Sequence, residues 1–370
     1  MPWNPATPYD ELPELPPHVE IETKPVLKAT IEARAALATL DQAARRITNP
    51  TVLINSIPLL EAQASSEIEN IVTTADELFK FAHDEAAATN PAVKETLMYR
   101  TALFAGIELI RARPLSSTTA VEVCTIVKGR VMDVRKLPGT YIGNPATKAA
   151  IYTPPSSEHV IRAKLGNWER FLHEAGSMDP LVAMAIAHYQ FEAIHPFADG
   201  NGRTGRIMNI LMLMSAGLIN QPILYLSRYI IEKKDEHYRL LLEVTRDGNW
   251  EEWVLFVLEG IRTTSLSTVA KIDRIQELQE ETLDKIRETT SGANADLLAV
   301  LFEQPYCRIS NVVERCQVSR PTATNWLNSL VREGVLIDVR AGRERIFINS
   351  RFFQLLVSPE TAPDSEPTLF

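Results

Sequence analysis

The segment His195–Arg206 holds the residues whose types and spacing could do chemistry in this 370-residue chain. It reads His-Pro-Phe-Ala-Asp-Gly-Asn-Gly-Arg-Thr-Gly-Arg. The Asp-Gly-Asn-Gly stretch is predicted to be non-helical, because its two glycines give the backbone unusual torsional freedom. A regular helix is predicted directly after it, over Thr204–Ala216. A glycine-rich turn that leads into a helix directs backbone N–H groups and the positive end of the helix dipole at one point, which favours an anion such as phosphate.

The side chains of this segment suit the same chemistry. Arg203 and Arg206 are three positions apart on the first helical turn and share a face, and a guanidinium group can bind two phosphate oxygens at once. Asp199 is an oxygen ligand of the kind that holds Mg²⁺ together with substrate phosphates. The imidazole of His195, with an ordinary pKa of about 6.5, suits a general base. Together these groups predict nucleophilic attack on a nucleotide phosphate, and none of them is an evident covalent nucleophile.

Other phosphate and metal motifs fail on spacing. The pattern GxxxxGK[ST] is absent, and no GxGxxG follows a predicted strand. The pair Asp199 and Asn201 is similar to the start of a calcium-binding loop. However, Arg203 stands where such a loop needs a ligand, and Ile210 stands where it needs Glu.

The segment resembles, in every fixed position, the signature HxFx[DE]GNGRxxR of the Fic family, and the resemblance extends over roughly residues 26–260. The family implies transfer of AMP from Mg-ATP to a Ser, Thr or Tyr hydroxyl of a target protein, with pyrophosphate leaving. It implies that His195 deprotonates the hydroxyl and that Asp199 holds Mg²⁺ against the α- and β-phosphates. The implied nucleotide-binding residues, with Arg203 and Arg206 on the β- and γ-phosphates, are Gly200, Asn201, Gly202, Arg203, Thr204, Gly205 and Arg206.

A second motif lies upstream, in Ser65-Ser66-Glu67-Ile68-Glu69-Asn70. Ser65, Glu69 and Asn70 match the inhibitory pattern [ST]xxxE[GN] of the same family, and Ser65 and Glu69 share a helix face. The resemblance implies that Glu69 pairs with Arg206. Because Arg206 cannot hold a carboxylate and the γ-phosphate together, we expect an enzyme that is inhibited by its own N-terminal helix. Removal of AMP with the help of this glutamate stays open.

Two further regions are expected at the site. The stretch 135–155 combines Pro-Gly, Gly-Asn-Pro and β-branched residues, which predicts a loop or short hairpin. In the family this is the position of a hairpin that docks the target, and such an edge can pair with a peptide backbone. The candidates for contact with nucleotide or target are Ala149, Ala150, Ile151 and Tyr152. The family also suggests that Tyr238 lines the nucleotide pocket, whereas periodicity alone allows it to be core.

Apolar spacing predicts a mainly α fold: a Fic helical core with a short β-hairpin flap and a C-terminal winged helix-turn-helix. Helices are expected over 52–69, 74–88, 92–111, 117–128, 158–173, 180–193, 228–246, 250–263 and 264–290. The proline-rich residues 1–25 are expected to be extended and packed on the surface. The predicted divisions are 1–110 (a helical region with the inhibitory motif), 111–263 (catalytic core), 264–290 (linker helix), 291–357 (winged helix-turn-helix) and 358–370 (disordered tail).

The C-terminal region leaves its partner open. Arg320 and Asn325 lie on the predicted recognition helix, and Arg340, Arg343 and Arg345 lie on the predicted wing. This charge pattern is compatible with DNA contacts. Since the region is only weakly basic, protein interaction or dimerisation is favoured over DNA. A second copy of the chain is therefore also a candidate partner.

Bulk composition narrows the class of protein. The net charge of −9 argues against a protein that coats nucleic acid through its overall charge. Three cysteines without CxxC spacing argue against a disulfide framework or a cysteine-rich zinc site. With no signal-peptide pattern and no apolar run of spanning length, a cytoplasmic protein without membrane contact is expected. Besides the AMP transferase, two hypotheses stay open: a nucleotide-sensing DNA-binding regulator, and a Fic enzyme that uses another nucleotide donor such as UTP.

Overall fold

The computed structural model of the protein describes residues 3–47, 49–82, 88–143, 147, 149–176, 178–290, 292–293, 295–341 and 344–358. The strands are β1 (Ile142–Gly143), β2 (Ala150–Tyr152), β3 (Tyr306–Arg308), β4 (Ile337–Ala341) and β5 (Glu344–Ile348). The helices that precede the C-terminal region are α1 (Lys24–Arg46), α2 (Thr51–Ile68), α3 (Ala75–Phe81), α4 (Pro91–Ala112), α5 (Ser117–Lys128), α6 (Glu158–Glu174), α7 (Pro180–Ile194), α8 (Asn201–Ser215), α9 (Leu226–Glu232), α10 (Lys234–Asp247) and α11 (Trp250–Thr289). The remaining helices are α12 (Ala295–Glu303), α13 (Ile309–Cys316), α14 (Arg320–Arg332) and α15 (Ser350–Val357). The predicted mainly helical fold is confirmed.

Local capping signals explain why several helix ends were predictable. Helix α5 begins after Ser116, whose side chain bonds to the backbone of Thr119 in a reciprocal capping box, and it ends at Gly129 in the left-handed conformation. Helix α7 begins with Asp179 as its N-cap and Pro180 in its first turn. Such signals depend on a few adjacent residues and can therefore be read directly from the sequence.

Three sequence predictions are wrong. The Asp-Gly-Asn-Gly stretch was expected to be non-helical, but α8 begins at Asn201, with Gly200 as its left-handed N-cap. The helix expected over 228–246 is two helices, separated at Lys233, whose φ of −116° and ψ of 32° are not helical. The helices expected over 250–263 and 264–290 form one helix, α11, of 40 residues. This helix keeps a buried stripe along its whole length and packs against α1, so nothing interrupts it at the predicted boundary.

Helix α7 forms the centre of the core and carries the start of the candidate site. It is buried almost all round, which is typical of a helix surrounded by others. The indole N–H of Trp168 on α6 donates to the carbonyl of Ala187 at 2.9 Å, and that of Trp253 on α11 donates to Ala185 at 2.8 Å. Since α8 follows α7 after a short turn and packs against it, both ends of the candidate catalytic segment belong to packed helices.

The proline-rich N-terminal segment packs on the surface, as expected. The Tyr9 N–H donates to Thr153 O at 2.9 Å, and the Gln190 side chain on α7 donates to Pro13 O at 2.8 Å. The segment thus lies along the base of the predicted hairpin. That hairpin is confirmed, since β1 and β2 pair antiparallel, with Ile142 opposite Tyr152.

The C-terminal region contains the three predicted helices and the predicted hairpin, which is β4 with β5. It also contains two elements that were not predicted: β3, which completes an antiparallel sheet in the order β3-β5-β4, and α15. Its assignment as a winged helix-turn-helix stays a prediction. Arg343 and residues 359–370 of the predicted tail lie outside the described residues. In the described part of the chain, no helix combines the length and apolar character that crossing a membrane requires.

Candidate active site

The catalytic segment is shaped by two residues with positive φ. His195 ends α7 with φ 48° and ψ 60°, and Gly200 begins α8 with φ 83°. A left-handed conformation costs a non-glycine residue roughly 1–2 kcal/mol, so His195 needs support from its surroundings. Arg135 supplies it: its Nε donates to the His195 carbonyl at 2.8 Å, and its backbone N–H donates to Pro196 O at 2.8 Å. Sequence reasoning missed Arg135, because its partner is 60 positions away.

Asn201 closes the turn between these two residues. Its side-chain amide donates to Phe197 O at 2.8 Å and accepts from the Phe197 N–H at 2.8 Å. Both ends of the amide are therefore used to hold the loop. Any contact of Asn201 with a phosphate has to come from its backbone N–H.

The electrostatic setting of His195 favours a neutral imidazole. Burial, and next the nearby positive charge of Arg135, lower its pKa to about 4, whereas Glu69 acts in the opposite direction. Its Nδ1 has no hydrogen-bond partner among the described residues. A neutral imidazole at pH 7 can accept a proton, so His195 has the state that a general base requires.

Arg206 forms what we call the Arg206 network, with Ser65 and Glu69 of α2. Its Nε donates to Ser65 Oγ at 2.8 Å, and its Nη2 donates to Ser65 O at 2.8 Å and to Glu69 Oε1 at 3.0 Å. The guanidinium is almost fully buried, while 35% of the Glu69 side chain is exposed. Burial by itself would lower the pKa of Arg206, but the carboxylates of Glu69 and Glu192 outweigh it and raise the pKa. Arg206 is thus charged and engaged by the helix that carries the inhibitory motif.

Gly202 shows where the Glu69 carboxylate lies. A methyl group built on Gly202 would overlap Glu69 Oε1 and would lie 2.9 Å from Nη1 of Arg206. The carboxylate therefore rests against the backbone of the first turn of α8, at the positive end of the helix dipole. An anion already fills the position at which the sequence predicted a phosphate.

Asn70 terminates α2, the helix that carries the second motif. Its φ of 62° turns the chain after the α2 C-cap Glu69, and Lys234 donates to its side-chain oxygen at 3.3 Å. Asparagine tolerates this left-handed conformation better than most residues. The residue fixes the end of the helix from which the Glu69 side chain extends.

On the other side of the α8 N-terminus lies what we call the Asp199 network, formed by Glu95, Lys128, Asp199 and Arg203. Lys128 Nζ lies 2.6 Å from Asp199 Oδ2 and 2.7 Å from Glu95 Oε1. Arg203 Nη1 lies 2.9 Å from Glu95 Oε1, and Arg203 Nη2 lies 4.0 Å from Asp199 Oδ1. The charges of two carboxylates and two cations thus compensate each other at the edge of the loop.

Arg203 and Arg206 start from neighbouring turns, but their side chains diverge. Arg203 pairs with Glu95 of α4, whereas Arg206 pairs with α2. Thr204 is fully buried, and a methyl group on Gly205 would lie 2.9 Å from Glu192 Oε1 and 3.2 Å from Phe191 on α7. The side-chain positions of Thr204 and Gly205 therefore face the core, where they allow α8 to pack closely against α7.

The flap residues point to opposite sides. The Ile151 side chain is exposed, whereas Tyr152 is buried and its hydroxyl donates to Ala193 O at 2.7 Å. Burial raises the pKa of Tyr152 well above its ordinary value, so this donor keeps its proton. Tyr152 thus anchors the flap to the end of α7, and Ile151 is the flap residue that faces outward.

Tyr238 lies beside the Arg206 network. Burial, and next the charge of Glu69, raise the pKa of its hydroxyl to about 12, while Arg206 acts in the opposite direction. Its ring packs edge-on against the buried His237, with centroids 5.3 Å apart. About two-fifths of Tyr238 stays exposed.

Glu61 is another residue that sequence reasoning missed. It lies one turn before Ser65 on α2, is almost fully buried, and accepts hydrogen bonds from Tyr99 Oη at 3.1 Å and from the Ser227 backbone at 2.9 Å. Burial raises its pKa. The only sequence signal was its i, i+4 spacing to Ser65 and Glu69, which puts all three on one face. Glu61 connects α2 to α4 and α9.

The donor set around Asp199 fits a magnesium ion. Its carboxylate is half exposed and already bonds to a cation, the Lys128 ammonium. Among the described residues no cluster of three or more metal-ligating side chains occurs. A single carboxylate that acts together with substrate phosphates is a common way to hold Mg²⁺.

Comparisons with known proteins agree with this geometry. Residues 27–108 match the family described as Fic/DOC family N-terminal, residues 117–213 match the Fic/DOC family, and residues 278–352 match the C-terminal domain of SoFic-like protein adenylyltransferases. Together these stretches cover well over half of the chain, and the second contains the whole catalytic segment. The chain belongs to the Fic family.

Relatives of this Fic protein match over part of its length. It is 34% identical over 108 residues to protein adenylyltransferase fic-1 of Caenorhabditis briggsae, and 32% identical over 111 residues to protein adenylyltransferase Fic of Culex quinquefasciatus. These stretches cover 29% and 30% of this chain but only 20% of each relative. A Fic family protein from Desulfovibrio desulfuricans G20 has a similar fold, with a TM-score of 0.56, 19% identity, and coverage of 90% of this chain and 98% of that one.

Proposed function

We propose that the protein transfers AMP from Mg-ATP to a Ser, Thr or Tyr hydroxyl of a target protein, and that Glu69 holds it in an inhibited state. The observation that carries the proposal is the Glu69 carboxylate, which rests against Gly202 and binds Arg206. A carboxylate in that position indicates an anion site next to His195. The names of the matched relatives, protein adenylyltransferases, support the same reaction.

The chemistry assigns one task to each group. The target hydroxyl oxygen attacks the α-phosphorus, the bond from that phosphorus to the α,β-bridging oxygen breaks, and pyrophosphate leaves. His195, neutral at pH 7, accepts the hydroxyl proton. The backbone N–H groups at the start of α8 and the guanidinium of Arg206 bind the phosphates. Mg²⁺ held by Asp199 would neutralise charge on the α- and β-phosphates.

Inhibition follows from competition for one guanidinium. Nη2 of Arg206 is bonded to Ser65 and Glu69, so a γ-phosphate has to displace the carboxylate. A hydrogen bond to a charged group contributes about 1.5–3 kcal/mol, which corresponds to roughly 10- to 100-fold in occupancy. Removing Glu69 is therefore expected to raise the rate of transfer by at least about tenfold.

Incubation of the full chain with ATP labelled at the α-phosphate tests the proposal. Wild type is expected to label itself weakly, Glu69→Gly at least about tenfold faster, and Glu69→Gly/His195→Ala about 10²- to 10⁴-fold more slowly than Glu69→Gly. Glu67→Gly is the matched control, because it makes the same change at an exposed position of the same helical turn.

The nucleotide controls separate the alternatives. Label from the γ-phosphate of ATP would indicate phosphorylation, and faster labelling from α-labelled UTP would indicate another donor. If Glu69→Gly transfers no label from any of these nucleotides, to itself or to proteins of a cell lysate, the enzymatic proposal fails.

A further inference from the structure

Lys128, the last residue of α5, is built into the catalytic loop although it lies outside both motifs. Its side chain is only 13% exposed. Its stem passes over Gly200, where an added methyl group would lie 3.2 Å from Cδ and 3.3 Å from Cγ. The absence of a side chain at Gly200 therefore makes room for Lys128, and the ammonium arrives at Asp199 from a fixed direction.

The ammonium lies between two carboxylates from different elements. Nζ is 2.6 Å from Asp199 Oδ2 on the loop and 2.7 Å from Glu95 Oε1 on α4. Glu95 also pairs with Arg203 at 2.9 Å. Lys128 can consequently give up Asp199 and keep an ionic partner, without any movement of the backbone.

Asp199 has a different exposure from its partners. About half of its side chain is exposed, whereas Glu95 is 31% exposed and Lys128 13%. Asp199 is therefore the member of this network that is most accessible to an ion from solvent, and its Oδ2 is already paired with the Lys128 ammonium. A divalent ion at Asp199 and the ammonium at 2.6 Å from the same carboxylate repel each other, since like charges at short distance destabilise each other.

We propose that Lys128 sets the affinity of Asp199 for a divalent cation: its ammonium is the resident counter-ion of Asp199 and shifts onto Glu95 when the cation binds. The proposal rests on the function proposed above in one respect, the assignment of the metal to Asp199. It makes Lys128 and Glu95 positioning residues with opposite effects. Lys128 competes with the cation, and Glu95 draws the ammonium away from Asp199.

Manganese binding measured by electron paramagnetic resonance tests this without any turnover. Mn²⁺ is titrated into the full chain in the presence of α,β-methylene-ATP, which cannot release pyrophosphate. Lys128→Met is expected to bind Mn²⁺ about fivefold more tightly than wild type, since a partly exposed ion pair has a modest strength. Glu95→Gln is expected to bind it severalfold more weakly, because the ammonium then has only Asp199.

The matched control is Lys94→Met, which removes the same charge from an exposed position adjacent to Glu95 in the sequence and is expected to leave Mn²⁺ affinity unchanged. Lys128→Gln gives a second neutral side chain in case Lys128→Met melts at a lower temperature. A purely structural role for Lys128 predicts weaker, not tighter, Mn²⁺ binding in both variants.

The outcomes separate the two proposals. If both Lys128 variants bind Mn²⁺ as wild type does, or more weakly, while Asp199→Asn loses the tight site, the role of Lys128 is overturned and the metal assignment stands. If Asp199→Asn binds Mn²⁺ as tightly as wild type, the metal assignment itself is wrong, and the role of Lys128 falls with it.

Discussion

The two ion networks on either side of the α8 N-terminus differ in whether a cation keeps an ionic partner when one contact is lost. In the Arg206 network, one cation is held by a single helix, and Glu69 is its only charged partner within ion-pair distance among the described residues. In the Asp199 network, two cations face two carboxylates that come from α4 and the loop. Loss of Glu69 leaves Arg206 without a carboxylate at ion-pair distance among the described residues, whereas Lys128 can lose Asp199 and remain paired.

This difference indicates how each network would respond to Mg-ATP, the proposed substrate. An almost fully buried guanidinium without a carboxylate is costly, so the Arg206 side is expected to change only when another anion, such as a phosphate, replaces Glu69. The Asp199 side can exchange one cation for another at little cost. The Arg206 network therefore acts as the switch in the proposed function, and the Asp199 network sets the affinity for the metal.

Among the tests that compare the two networks, the largest expected effect comes from filling the space at Gly202. Removing Glu69 empties this position for phosphate, whereas Gly202→Ala places a methyl group in it, next to Nη1 of Arg206. In the Glu69→Gly background, Gly202→Ala is expected to lower the rate of AMP transfer by about 10²- to 10³-fold, the range seen when a charge-stabilising contact is lost. Steady-state rates with α-labelled ATP measure it.

Gly166→Ala is the matched control for that comparison. Gly166 lies on α6, where an added methyl group meets no atom within 4 Å. We expect an unchanged rate and, as for glycine to alanine in a helix, stability that is unchanged or higher by up to about 1 kcal/mol. Equal rates for Glu69→Gly with and without Gly202→Ala would contradict a phosphate position at Gly202.

A double-mutant cycle of Glu69→Gly and Lys128→Met tests whether the two networks act separately. Glu69→Gly is expected to tighten binding of metal-free ATP in EDTA by about tenfold, and Lys128→Met is expected to change Mn²⁺ affinity without that gain. Each affinity is compared among all four proteins. Because the two residues act on different partners, the effects of the two substitutions on the same affinity should add within about 0.5 kcal/mol. Calorimetric titrations of all four proteins measure the coupling, and a larger value would show that the two networks form one unit.

The pKa of His195 gives a smaller effect that can be measured in the free protein. Burial, with Arg135 next, lowers the pKa to about 4, so the imidazole should stay neutral down to about pH 5 instead of titrating near 6.5. Arg135→Gln removes a positive charge that disfavours the imidazolium, and the pKa should therefore rise towards 6.5. Proton-decoupled NMR of labelled histidine, assigned with His195→Gln, follows the titration.

Arg135→Lys is the control for that shift. It keeps the charge but loses the planar guanidinium fork, so the pKa of His195 should stay low even if the loop becomes less rigid. A rise of equal size in both variants would show that loop geometry, and not charge, sets the pKa.

The smallest effect is expected at Ser65. Ser65→Ala removes the Oγ that accepts from Arg206 Nε at 2.8 Å, but Ser65 O and Glu69 still hold Nη2. A typical hydrogen bond contributes about 0.5–1.5 kcal/mol, so a rise in AMP transfer of about two- to tenfold is expected, less than for Glu69→Gly. The neighbouring Ser66→Ala, whose Oγ has no partner among the described residues, should leave the rate unchanged.

Most of the catalytic segment could be predicted because its signals are local. The order of His195, Asp199, Gly200 and Arg206 indicates the turn and the charges in one continuous stretch, although the helix begins at Asn201 and not at the predicted Thr204. The pairing of Glu69 with Arg206, 137 positions apart, came from a family motif and is present in the structure. Without that resemblance, the helix periodicity alone would have left Glu69 as an ordinary exposed carboxylate.

The amino-acid sequence by itself thus determined the helical class and most helix ends and nominated the candidate reactive groups, because capping, glycine torsions and apolar spacing act over a few residues. Only the tertiary structure decided that Arg203 and Arg206 contact different partners. It also decided that Arg135 supports His195, and that Lys128 and Glu95 complete the Asp199 network. These contacts join elements 33 to 141 positions apart. Such pairings are fixed by which faces the packed helices bury together, and no local pattern encodes that.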